Sequence, residues 1–197
     1  MIGTTLVGVG AFILPSAAMA DCLPNAAGTT VTCSTSDPDG FNGSAINGLT
    51  INVIPTATVS GTLSAGTVSA VNNEGGITAT TAIAVGGGST VSNASTATGV
   101  ITGAVNFGLA ATGQTNVLNN FNNAVGGGIV GAVSSAGGAF NINNTGSIVG
   151  AINSVGDTTI VNSGTLTGAI TLGAGNDVIT NTGTITGNVN MGGGTTN

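Results

Sequence analysis

The stretch NTGSIVGAINSVGDTTIV (residues 144–161), followed by NSGTLTGAITLGAGNDVIT (162–180) and NTGTITGNVNMGGG (181–194), decides the fold. Set one under another, these lines align end to end, each opening on an Asn-Ser/Thr-Gly turn at Asn144, Asn162 and Asn181. A second marker runs in phase with the first: Gly131-Ala-Val133, Gly150-Ala-Ile152, Gly168-Ala-Ile170 and Gly187-Asn-Val189. Between the markers Ile148, Leu166 and Ile185 form one column, Ile142, Ile160 and Ile179 another, and Leu172 and Met191 a third. Such spacing predicts short alternating strands cut by Gly and Asn turns. A single turn of this kind cannot bury its apolar side, so the turns must stack, each strand pairing with its counterpart one repeat away. Asn at equivalent positions can then hydrogen-bond along the stack. The expected fold is all-β, a single-stranded parallel β-helix (β-solenoid) with coils of about 18–19 residues.

Upstream the period blurs. Gly103-Ala-Val105 fits the template but precedes Gly131 by more than one repeat, which predicts an insertion around Gln114 to Asn123, read as an Asn-rich protruding loop. Thr50 to Val91 shows pieces such as Thr58-Val-Ser-Gly61 and Thr67-Val-Ser69 without a clean period and is read as the same architecture. The expected layout is a signal peptide at 1–20, a cap segment at 21–48 and a solenoid of about eight coils at 49–197. The solenoid breaks off in mid-repeat at Gly192-Gly-Gly-Thr-Thr-Asn197, which reads as a truncated frame.

Composition narrows the function classes. The chain of 197 residues has no Lys, Arg, His, Trp or Tyr, and only 3% of its residues are charged. Its formal charge of −6 comes from Asp21, Asp37, Asp39, Glu74, Asp157 and Asp177. With no cation to neutralise a phosphate, nucleic acid and anionic lipid head groups are excluded as electrostatic partners.

The N-terminus reads as an export signal: an apolar run from Leu6 to Leu14, a break at Pro15-Ser16, and Ala18-Met19-Ala20 as the cleavage pattern between Ala20 and Asp21. No positive charge precedes the apolar run, which leads us to expect the start codon upstream of Met1. Cys22 and Cys33 are the only cysteines. In an exported chain such a pair predicts a disulfide, here closing the N-terminal cap, with two free thiols as the alternative.

The head from Asp21-Cys22 through Thr29-Thr-Val-Thr-Cys33, Asp37-Pro-Asp-Gly-Phe-Asn42 and Asn47-Gly-Leu-Thr-Ile-Asn-Val53 resembles the start of autotransporter passenger domains of Gram-negative bacteria. The turns at Asn162 to Gly168 and Asn181 to Gly187, with Leu172-Gly-Ala-Gly-Asn-Asp-Val-Ile179, are similar to passenger β-helix repeats. That resemblance implies a right-handed parallel β-helix, exported through the periplasm to the cell surface by a C-terminal outer-membrane β-barrel translocator. Family members act as adhesins, aggregation factors, proteases or esterases. No barrel lies within this sequence, and its only aromatics are Phe12, Phe41, Phe107, Phe121 and Phe140.

Without His or Lys, neither a Ser-His-Asp triad nor a Ser-Lys dyad can be assembled. A carboxylate pair for glycoside cleavage would be Asp157 and Asp177, which lie close to one repeat apart, though both fit solvated turns better. Gly173-Ala-Gly-Asn-Asp177-Val-Ile179 resembles half of a calcium-binding nonapeptide repeat, and one copy does not complete a site. Thr165-x-Thr167 and Thr184-x-Thr186 stack hydroxyl rows of the kind an ice-binding solenoid uses, interrupted by Val149 on the coil before. The reading is therefore non-catalytic, with no catalytic, cofactor or metal residues. It is a surface-exposed adhesive stalk whose partner is an extracellular surface or another copy, and a free binding module (calcium-responsive or ice-binding) is the alternative.

Overall fold

The computed structural model describes residues 22–94, 98–122 and 128–194. It is all-β, with no helix among the described residues, and every strand pairing is parallel except that of Cys22–Pro24 with Thr30–Cys33. The chain winds as a solenoid with three faces. On the first face lie Thr30–Cys33, Thr50–Val53, Ala70–Asn73, Thr90–Asn93, Thr115–Asn120, Ala139–Asn144, Thr158–Asn162 and Val178–Asn181, giving eight coils. At the usual interstrand spacing of ~4.8 Å the stack is roughly 40 Å long.

Alternation puts every second residue inside. The first face contributes the column Val31, Ile51, Val71, Val91, Leu118, Ile142, Ile160 and Ile179, each in register with the next. The second face contributes Val59, Ile77, Ile101, Ile129, Ile148, Leu166 and Ile185. The third contributes Phe41, Leu63, Ile83, Val105, Val133, Ile152, Ile170 and Val189. Apart from Val189, exposed on the last coil, these columns fuse into one core, filled near its middle by Phe107 and Phe140, whose ring centroids lie 5.1 Å apart. Each fully buried Ile, Leu or Val stabilises by about 1.5–3 kcal/mol, which no isolated coil could collect.

The Gly-x-hydrophobic marker has a steric cause. A Cβ on Gly150 would run into the Gly131 carbonyl, one on Gly168 into that of Gly150, and one on Gly187 into that of Gly168. Only glycine lets this corner stack at strand spacing.

Three features depart from the sequence expectation. The blurred first half has a regular period after all, because Val31, Ile51, Val71 and Val91 recur at one even spacing, each directly beside the next. Parallel pairing already begins inside the segment expected as cap: Thr30–Cys33 lies beside Thr50–Val53, Ser36–Asp37 beside Thr58–Val59, and Gly40–Gly43 beside Thr62–Ala65. The stretch expected as a protruding loop contains the strand Thr115–Asn120, with Leu118 in the core and Asn116 and Asn120 buried. Asparagine there serves an interior ladder and not a turn. The signal-peptide residues, with the Ala20–Asp21 junction, lie outside the described residues.

Candidate functional site

Beside the first aliphatic column runs a polar one. Asn73, Asn93, Asn120, Asn144, Asn162 and Asn181 occupy one register position on six successive coils. The Nδ2 of each donates to the Oδ1 of the next, at 2.8, 2.9, 2.7, 2.7 and 2.7 Å. Second Nδ2 protons reach carbonyls at the following corner, such as Ser147 from Asn120 (3.0 Å) and Gly164 from Asn162 (3.3 Å). Primary amides suit this position because each supplies one acceptor to the coil before and donors to the coil after and the corner. The ladder begins at Asn73, whose Oδ1 is buried with no partner because its neighbour one coil back is Val53. An outer row on the same face links Asn72 to Asn52 and Asn143 to Asn119, each at 2.9 Å.

Cys22 and Cys33 form the expected disulfide, as a directly opposed pair in the antiparallel hairpin, and both are buried. The first interior position of the second face is Asp37, fully buried where later coils carry Val59 and Ile77. Its Oδ1 accepts the N–H groups of Asp39 (3.1 Å) and Gly40 (2.8 Å), and its Oδ2 accepts that of Cys22 (3.2 Å). Asp37 thus ties the hairpin to the first coil.

Asp157 and Asp177 are not brought into one cleft. Thr159 pairs with Val178 and the Thr158 N–H donates to Asp177, so Asp177 stands beside Thr158, one register position from Asp157, with one carboxyl buried and the other exposed. Asp177 is fully buried, with Oδ1 accepting the Thr158 N–H at 2.9 Å and Oδ2 unpartnered. Asp157 is exposed and accepts the Asn176 N–H at 2.9 Å. Glycoside hydrolysis needs two carboxyl groups flanking a single bond, which this arrangement does not offer. Among the described residues no group of three or more His, Cys, Asp or Glu could hold a metal ion.

Outside, Ser147, Thr165 and Thr184 stack in one row and Val149, Thr167 and Thr186 in the next. Half-exposed Val130 and Val149 limit the paired hydroxyl array to two coils. Two shallow grooves of about 440 and 540 Å³ run along the third face and meet at Asn106 and Phe107. Ser, Thr and Asn line both, joined by Ala and Gly in the first and by Phe107, Ala136 and Val155 in the second. In comparisons with known proteins, no family model, no curated protein and no solved structure matches the chain.

Proposed function

We propose that this chain is an exported, non-catalytic stalk with an adhesive outer surface, a passenger segment of an autotransporter. The observation that carries the reading is the stack itself: eight coils whose interior polar groups are spent on holding coil to coil, with a disulfide at its first turn. Disulfides persist in oxidising compartments, which favours the periplasm and cell surface over the cytosol. The absence of every basic side chain removes the usual bases for nucleophilic catalysis and leaves neutral hydroxyl, amide and apolar surface for contact. On this reading the translocator is a β-barrel encoded downstream, and the partner is an extracellular surface.

The test is to place residues 1–197 ahead of an outer-membrane barrel translocator in a Gram-negative host. The account expects the passenger on intact cells by protease accessibility, cleaved between Ala20 and Asp21, carrying no free thiol, and raising attachment above that of the barrel alone. Retention in the cytoplasm with both thiols free would contradict it.

A further inference from the structure

Asp37 is a fully buried carboxylate in a chain without Lys, Arg or His. Buried charges are ordinarily paired with an opposite charge, because hydrogen bonds to neutral groups replace only part of the lost hydration. Asp37 has three backbone N–H groups and no charged partner. Those of Asp39 and Gly40 close its own turn, and only that of Cys22 comes from another element, the strand Cys22–Pro24, at 3.2 Å from Oδ2. The carboxylate therefore faces the point at which the described chain begins.

The residue before Cys22 is Asp21, which becomes the first of the mature chain when export cleaves after Ala20. That cut turns a neutral peptide N–H into a free α-amine, positively charged below about pH 7.7. With no basic side chain in the sequence, it is the only cation the mature chain has. Bond lengths alone put the Asp21 nitrogen within ~4 Å of the Cys22 nitrogen. Adding the 3.2 Å from there to Asp37 Oδ2 leaves the two charges at most ~7 Å apart. This is inside the Debye length of ~8 Å at physiological salt. The Cys22–Cys33 disulfide and the antiparallel hairpin hold Cys22 against the first coil, so the amine is tethered beside the carboxylate.

We infer that Asp37 is the receptor for the α-ammonium of Asp21, so that removal of the leader completes the N-terminal cap with an ion pair. The position of the cut rests on the export reading; the pairing of a free amine at Asp21 with Asp37 does not. The first coil is then looser in the precursor than in the processed chain, and processing closes the stack at that end. The charged groups near the amine are Asp37, the exposed Asp39 and the Asp21 carboxyl itself, all acidic. The neighbouring strands Thr30–Cys33, Thr50–Val53, Thr58–Val59 and Gly40–Gly43 carry no titratable group besides the disulfide-bonded Cys33. Acids around an amine hold it protonated to higher pH than in the unfolded chain. Its contribution is therefore full below about pH 7.7 and is lost as the pH rises through the raised value.

Three preparations test it: residues 21–197 with a free α-amine, the same chain α-acetylated, and uncut residues 1–197. At a pH below about 7.7, the Asp39 and Gly40 amides should exchange roughly tenfold more slowly in the free-amine chain than in the other two, the factor that a one-unit rise in the amine's pKa corresponds to. Exchange near Ile160 should be the same in all three. Raising the pH past the amine's titration should abolish the difference, which the bulk of an acetyl group cannot imitate. With Asp21 labelled with nitrogen-15, the amine should titrate above its ordinary range of about 7.7–8.0, and Asp37→Asn should return it there. Should Asp37→Asn not fold, titration and acetylation of the unaltered sequence decide the matter. An amine titrating in its ordinary range, one indifferent to Asp37→Asn, or equal exchange in the free and acetylated chains would overturn the inference. Failed export or a cut elsewhere bears on the export reading alone, because these chains are prepared with their ends already set.

Discussion

At the residue scale the interior amides and one strained turn carry the sharpest consequences. Asn144 sits in mid-ladder, accepting from Asn120 and donating to Asn162, both at 2.7 Å. Asn144→Ala leaves the Asn162 Oδ1 without its donor inside the core, and an unsatisfied buried group costs about 1–3 kcal/mol on top of the lost bonds. Asn181 lies at the exposed end of the ladder, where water can replace the missing partner. Asn181→Ala should therefore cost well under half as much, a difference readable in paired thermal melts. Val68 stands at φ 55°, and Val68→Gly acts in the other direction, because leaving a left-handed β-branched conformation stabilises by about 1–2 kcal/mol, less the extra freedom glycine gives the unfolded chain. The facing of Asp157 and Asp177 could not be read from their separation. A spacing near the repeat suggests neighbours, but the local coil runs from Thr158 to Asp177, and a one-residue offset turns a side chain to the other face of a strand.

At the element scale the corners decide what the strands may do. Gly150→Ala drives a Cβ into the Gly131 carbonyl and should cost about 1–3 kcal/mol, as overpacking does. Gly76→Ala meets nothing within 4 Å, so its effect should stay within about 0.5 kcal/mol. Equal losses in both variants would mean that close stacking is not why glycine recurs. The same corners explain what the sequence showed. From Gly131 onward the Asn, Gly and interior aliphatic columns keep their residue type, so they are visible by alignment. In the first half one interior position passes from Cys33 through Val53 to Asn73 and Asn93, hiding a regular spacing behind a change of chemistry. The strand Thr115–Asn120 was obscured because its asparagines look like turn residues, although alternate ones point inward. Strained Val68 left no sequence signal, since the left-handed position becomes apparent only when coils are superposed on Gly28, Gly48 and Gly88.

At the scale of the whole molecule, stability is close to a sum of coil terms and coil–coil interfaces, so damage stays near its origin. Replacing Cys22 and Cys33 by Ser opens a loop with a sequence separation of 11 and removes roughly 3 kcal/mol from the N-terminal end. Amide exchange should then quicken around Val31 and Ile51 while protection near Ile160 is unchanged. A uniform loss of protection would show that the stack unfolds as one unit. The central claim, on which the stalk reading depends, is a single parallel stack from Thr30 to Asn190. Methyl–methyl nuclear Overhauser spectroscopy on the purified chain tests it most directly. The account predicts a cross-peak chain from Ile129 to Ile148, Leu166 and Ile185, and a second from Leu118 to Ile142, Ile160 and Ile179. Absence of these contacts, or cross-peaks showing antiparallel pairing of neighbouring repeats, would contradict it.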